Sequence, residues 1–196
     1  MKLCMVALGL TMFSTTFVAA ADTNSVFGIS LGKTLTMSEC NRESYGYSPL
    51  VKKTCFQRVE GSKHLTGPFG DGYRAINFPF EEKPELVSGI EYWVLVIDEN
   101  VEGVSFNTNG VADGAEVLRS LKVKYGKPTY LTPKTVKNLT GGTFEAYDAT
   151  WKLSDIEVEF HSVGSSLDWG SVKILTKKGG IYIQKLRNDL KKPVPL

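Results

Sequence analysis

Ile156-Glu157-Val158-Glu159-Phe160 alternates apolar and acidic side chains without a break, and no other stretch restricts the fold as much. Successive side chains of a strand point to opposite faces, so this pattern puts one face in a core and the other in water, as in an antiparallel sheet. Phe144 to Leu153, Ile156 to Val163 and Ser171 to Thr176 all carry β-branched or aromatic residues. They are separated by Ser154-Asp155 and by a stretch running from Gly164-Ser165-Ser166 to Gly170, which reads as a meander. Upstream, Val87 to Asp98 and Val101 to Asn107 read as two more strands with a hairpin turn at Asp98-Glu99-Asn100, and Phe27 to Gly32 as a short strand ending in a glycine turn.

Two spacings predict helix starts. Thr36 precedes Glu39 by three residues, and Asp113 precedes Glu116 by the same interval, the arrangement in which a capping side chain and a glutamate serve the free N–H groups of a first turn. The first helix is expected to be short, broken by Tyr45-Gly46-Tyr47-Ser48-Pro49. The second places Leu118, Leu121 and Tyr125 on one face and stops at Gly126 and Pro128. A shorter amphipathic helix is expected over 183–192, with Ile183, Leu186 and Leu190 on one side and Pro193 ending it. Residues 61–80 mix glycine and proline with Phe69, Tyr73, Phe78 and Phe80, and read as an irregular loop whose aromatics pack on something. The expected fold is α+β: a curved antiparallel sheet with one main helix, 114–125, packed on a face, and one disulfide. The two halves echo each other weakly, each with a capping pair and a glycine stop.

The first residues predict export. Lys2 is followed by an apolar stretch from Leu3 to Phe13, then by hydroxyl residues and Val18-Ala19-Ala20-Ala21. A charged start, an apolar centre too short for a bilayer and a small-residue site make a secretory signal peptide. Cleavage fits after Ala20 or after Ala21, leaving 21–196 as a single globular domain in the periplasm or secreted. No later stretch approaches the roughly 20 apolar residues of a transmembrane span. Two cysteines then remain, Cys40 and Cys55. An even number in an oxidising compartment predicts one disulfide, whose loop of about fifteen residues is worth about 3 kcal/mol in the loop-entropy model. A catalytic thiol or metal pair is the sharper alternative, but no CxxC spacing accompanies it.

Removing Lys2 with the leader leaves 22 basic against 21 acidic residues, a balance with no call for nucleic acid. The distribution is uneven: seven acidic residues against Lys83 lie between Glu81 and Glu102, and seven basic residues against Asp189 lie between Lys173 and Lys192. These two stretches read as a solvated strand edge and a solvated terminal helix, or as partners of each other.

Chemistry is sparse. The histidines are His64 and His161, and neither sits in a G-x-S-x-G or H-E-x-x-H pattern. His161 follows an alternating strand and belongs to the face of Glu157 and Glu159. Gly67-Pro68-Phe69-Gly70-Asp71-Gly72 lacks the Lys-Ser/Thr of a phosphate loop, and Pro68 removes a donor. No cofactor or metal is implied. What remains is binding: Phe69, Asp71, Tyr73 and Arg74 combine rigid aromatics with both signs of charge, types enriched at interaction hot spots. Asn138-Leu139-Thr140 is a glycosylation acceptor in a eukaryotic secretory route and otherwise part of a turn with Gly141 and Gly142.

Phe27-Gly28-Ile29-x-Leu31-Gly32 and Leu121-x-x-Lys124-Tyr125-Gly126-Lys127-Pro128 resemble the pattern of small exported α+β proteins of Gram-negative bacteria. The resemblance implies compartment and fold. Ser88-Gly89-Ile90-Glu91-Tyr92 is similar to the Ser-Gly-x-x-Tyr motif of periplasmic inhibitors of C-type lysozyme, which implies Ser88 and Tyr92 as partner-contacting residues. Their second motif, Tyr-x-x-x-Thr-Lys-Gly, is only approximated by Thr176-Lys177-Lys178-Gly179, with Val172 at the tyrosine position.

The functional expectation is an exported, non-enzymatic binding protein, an inhibitor or immunity-type partner of another exported protein. The alternatives are a small-ligand carrier or sensor with a pocket between helix and sheet, and a periplasmic enzyme.

Overall fold

The computed structural model describes residues 23–41, 51–58, 71–89 and 92–191. The leader, the helix break at 45–49, His64, Phe69 and Pro193 lie outside these residues.

The chain forms a two-stranded ribbon, β1 (Ser25–Val26) and β2 (Ile29–Ser30), and one eight-stranded sheet of β3 (Cys55–Arg58), β4 (Gly72–Asn77), β5 (Tyr92–Ile97), β6 (Asn100–Thr108), β7 (Tyr130–Lys137), β8 (Thr143–Lys152), β9 (Ile156–His161) and β10 (Gly170–Thr176). Its spatial order is β3-β4-β5-β6-β10-β9-β8-β7, antiparallel throughout. Two four-stranded meanders therefore meet edge to edge at β6 and β10, and the weak echo of the two halves has a counterpart in strand order. Helix α1 (Gly114–Tyr125) carries the chain from central β6 to the far edge β7, and α2 (Lys177–Leu190) follows β10. Among the described residues the fold is α+β, with an antiparallel sheet, two α-helices and a bond between Cys40 and Cys55.

Alternation explains which side of the sheet each helix covers. Tyr92, Val94 and Val96 of β5 join Val104, Phe106, Val158, Phe160, Val172 and Ile174 in the main core, where Val117, Leu118, Leu121 and Tyr125 of α1 also pack. Leu95 and Ile97 point the other way and meet Ile183 of α2, with Tyr73, Leu175, Tyr182 and Leu186. Because both faces are covered at β5, five of its six residues are buried, and the strand reads as a continuous apolar run. The ribbon β1–β2 and Leu31 close the main core beyond α1.

Several expectations are corrected. Phe27 and Gly28 are not strand but the turn between β1 and β2, with φ of 48° and 80°. Two successive left-handed residues suit a tight hairpin. Asp98 and Glu99 (φ 48° and 64°) form the same kind of turn between β5 and β6, as the sequence predicts. No helix begins at Thr36 among the described residues. Residues 36–41 run beside β3, with Cys40 N–H donating to Phe56 O (2.8 Å) and Phe56 N–H to Ser38 O (3.0 Å), and a parallel bridge joins Glu39 to Phe56. These sheet bonds and the disulfide, with Cα atoms 5.0 Å apart, outweigh a local capping preference. Within the expected loop 61–80, Gly72–Asn77 is strand β4, and strand β7, a segment given no reading from the sequence, contains Pro133. Only an edge tolerates the missing donor, and β7 is an edge.

Helix α1 starts and stops where expected, but the Asp113 carboxylate accepts from Asn109 Nδ2 (2.6 Å) rather than capping the helix. Gly126 ends it with φ 78°, its N–H donating to Lys122 O. Helix α2 begins six residues earlier than the sequence suggests and is longer than α1, so the sheet carries two substantial helices. Thr176 caps it: Oγ1 accepts from Gly179 N–H (3.0 Å) and donates to Glu102. Lys178 Nζ donates to Asp98 Oδ2 (2.7 Å), so the basic and acidic stretches face each other here.

Gly110 and Gly126 separate two costs of replacing glycine. Both have positive φ, but a Cβ on Gly110 would lie 2.0 Å from Leu167 O while one on Gly126 would meet nothing within 4 Å. Gly126→Ala is expected to cost about 1–3 kcal/mol, the conformational penalty alone, because φ 78° with ψ −156° is a region that glycine nearly alone adopts. Gly110→Ala is expected to cost about 2–4 kcal/mol because the loop at 167 must also move; urea midpoints of the two variants measure the difference.

Candidate interaction face

Helix α2 covers the β4–β5–β6 side of its face of the sheet and the Leu175 end of β10. Beyond it on β9, β8 and β7, the side chains of Glu159, His161, Asp148 and Lys134 remain partly exposed. Cross-strand register there aligns side chains into rows. Trp93, Ser105, Lys173, Glu159, Thr150 and Tyr130 are successive partners on β5, β6, β10, β9, β8 and β7. Asn107, Ser171, His161, Asp148 and Thr132 form the next row on β6, β10, β9, β8 and β7. At roughly 4.8 Å per strand the first row spans about 24 Å, with an aromatic ring at each end.

The charged members are held by one another. Lys173 pairs with Glu159. Lys134 pairs with Asp148, and His161 Nδ1 lies 3.0 Å from Asp148 Oδ1. Because a carboxylate only accepts, Nδ1 carries the proton. Partial burial by itself would raise the Asp148 pKa, but hydrogen bonds from Lys134 and His161, with their charges, hold it below its ordinary value. Glu159 and Lys173 are the nearest other charges on this face, and they neutralise each other. At the edge, Lys152 Nζ sits 5.7 Å from the centre of the Tyr130 ring. Lengthy side chains on rigid strands are thus held by one another while remaining partly exposed.

Since the folded-state pKa of Asp148 is depressed, its contribution to stability is full above the ordinary carboxylate range near 3.9 and is lost as pH falls through the lower folded value. Thermal melts of the wild type and Asp148→Asn are therefore expected to differ most at neutral pH and to converge in strong acid.

The residues singled out from sequence do not assemble into one site. Asp71 Oδ1 accepts from Asp98 N–H (2.9 Å) and ties β4 to the β5–β6 turn. Tyr73 is half-buried under α2, and burial raises its pKa. Arg74 is buried on the opposite side of β4, with Nη1 donating to Tyr73 O (3.1 Å); burial and nearby Arg58 lower its pKa. Tyr92 is fully buried, its hydroxyl donating to Val26 O (3.2 Å) and its ring stacked on Phe106. Ser88 is half-buried and donates its N–H to Asn107 O. Tyr92 and Arg74 therefore serve the core: strand alternation turns both inward, and neither side chain is presented to a partner. His161 lies where its alternation placed it. Its neighbours Asp148 and Ser171 carry no local signal, because they are brought to it by strand pairing.

The space between α1 and the sheet is filled by α1 side chains packed with Ala149, Trp151 and Phe160. Beside it, α1 and β7 bound an open cleft of about 460 Å³ lined by Leu118, Arg119, Lys122, Val123, Leu131 and Tyr147. Among the described residues no group of three or more His, Cys, Asp or Glu side chains could hold a metal ion, and no helix is long and apolar enough to cross a membrane. No family model, no curated protein and no solved structure matches the chain.

Proposed function

We propose that this chain is an exported, non-enzymatic binding protein, a single domain over 21–196, that docks another exported protein on the partly exposed face of β6–β10–β9–β8–β7. Inhibition of, or immunity to, that partner is the role such docking serves. The observation that carries the reading is the ordered rows of polar and charged side chains on a partly exposed platform. Side chains already held by Lys134–Asp148–His161 and Lys173–Glu159 lose little further freedom on binding, which is where association otherwise loses affinity. The accumulated twist of eight strands makes the platform a curved one, with α1 packed on the face behind it. A disulfide is compatible with the oxidising compartment that a signal peptide implies.

The test uses the mature chain immobilised at micromolar density against extract of the native periplasm or medium. A protein retained by the wild type and lost with Ser105→Arg/Thr150→Arg supports the reading, and retention of nothing by the wild type overturns it. One observation favours a second reading. Asp148, His161 and Ser171 lie in direct cross-strand register, the order of an acid, a base and a hydroxyl nucleophile. Covalent labelling of Ser171 by a fluorophosphonate probe, abolished by His161→Gln, would establish an enzyme instead.

A further inference from the structure

The eight-stranded sheet has two edges, and the chain treats them differently. At β3 the outer edge is occupied: Cys40 N–H donates to Phe56 O and Phe56 N–H to Ser38 O, in a segment pinned by the disulfide. At β7 no described strand lies on the outer side. This strand is eight residues long, and all of them but Val136 are exposed. A long bare edge is a template for a strand of another chain.

Which main-chain groups of β7 face that edge follows from β8. Ser162 N–H donates to Tyr147 O (2.9 Å) and Tyr147 N–H to Ser162 Oγ (2.6 Å), so the main chain of Tyr147 is turned toward the β9 side. Lys152, of the opposite parity, turns its N–H the other way, to Thr129 Oγ1 (3.0 Å). Even residues of β8 therefore bond toward β7, and odd ones toward β9. Tyr147 is the register partner of Pro133, so Pro133 stands where main-chain groups point outward, as do those of Leu131 and Thr135. The β7–β8 ladder loses nothing to this proline. What is lost is the middle donor of the bare edge, and the ring, bonded to that nitrogen, fills the space an approaching carbonyl would need.

The rest of the strand suits its own copy. In an antiparallel register centred on Pro133, Tyr130 falls opposite Val136, Leu131 opposite Thr135 and Thr132 opposite Lys134. An aromatic residue opposite a β-branched one is a favourable cross-strand pair. Tyr130 and Leu131 are both exposed, no like charges meet, and Leu131 and Thr135 would exchange bonds on either side of the axis. Only the centre fails, where proline meets proline.

We infer that the β7 edge is closed to a second copy of this chain and that Pro133 is the guard that closes it. A strand this close to self-complementary would otherwise continue the sheet through a twofold axis. The lysines do not provide the block, because that register sets Lys134 against threonine and Lys137 against Thr129. The inference stands apart from the docking reading, since it concerns the edge of the sheet and not its face.

The experiment is sedimentation of the disulfide-bonded chain from about 1 μM to about 1 mM. The wild type is expected to stay monomeric. Pro133→Thr and Pro133→Val are each expected to self-associate at least tenfold more tightly, the scale of two restored hydrogen bonds. Pro133→Thr/Thr135→Pro moves the block to another outward position and should return the monomer. At the lowest concentration Pro133→Thr should melt with the wild type, because its new N–H points into solvent. Lys134→Pro removes a donor to β8 and should lower the melting temperature by at least about 6 °C. A wild type that already dimerises, or threonine and valine variants that both stay monomeric, overturns the guard. Association that survives Thr135→Pro places the contact elsewhere and overturns it too, and a Lys134→Pro chain that melts with the wild type overturns the orientation on which it rests.

Discussion

Replacing Trp151 with alanine is expected to cost about 3–5 kcal/mol of stability, near the upper end for a single core truncation. Trp151 is fully buried on β8 beneath α1, its ring centre 6.4 Å from that of Tyr125. Its Nε1–H donates to Gly126 O at 2.8 Å, at the residue that ends α1. Truncation therefore opens a cavity and also leaves a helix-terminal carbonyl without its donor, and neighbours on two elements cannot collapse into the space together. Trp151→Phe restores much of the volume but not the donor, and is expected to cost about 1–3 kcal/mol through the orphaned carbonyl. Urea unfolding of the three proteins measures both terms. A shift under about 1 kcal/mol for the alanine variant would mean that α1 does not dock on β8 as described.

Removal of the disulfide is the other large effect. With a sequence separation of 15, Cys40→Ser/Cys55→Ser is expected to lose about 3 kcal/mol, chiefly by freeing the unfolded chain. The loss also has an address in the folded state. Residues 38–40 are held against the β3 edge by the backbone bonds around Phe56 and by the ion pair of Arg58 with Glu39, and exposed pairs of that kind contribute little. Hydrogen exchange should therefore quicken in residues 38–41 and 51–58 while β8, β9 and β10 keep their protection. Uniform loss of protection across the sheet would show instead that this edge is integral to the cooperative core.

How much of this was legible in the chain depends on the range of the interaction involved. Leu118, Leu121 and Tyr125 announced α1 because a helix buries one stripe by its own geometry. Ile156 to Phe160 announced β9 because a strand sorts its side chains by parity. Asp98-Glu99 and Gly126 announced a turn and a stop because backbone preference is local. Where such preferences met a tertiary competitor they failed: the capping pair at Thr36 and Glu39 yielded to sheet bonds with Phe56 and the bond between Cys40 and Cys55. The proline of β7 forbids a central strand but not an edge, and nothing in the neighbouring residues reveals which position a strand will take.

The candidate site shows the same division. Sequence alone determined that His161 shares a face with Glu157 and Glu159, and that Cys40 has one partner if the leader is removed. Only the tertiary structure decided that Asp148 and Ser171 flank His161, that Tyr92 and Arg74 turn into the core, and that Pro133 turns its missing donor to a bare edge. The physical reason is that parity along a strand is written in consecutive residues. Which strand lies beside which, and how far each extends past the next, is settled by burying two separate apolar faces at once, and that is a property of the whole chain.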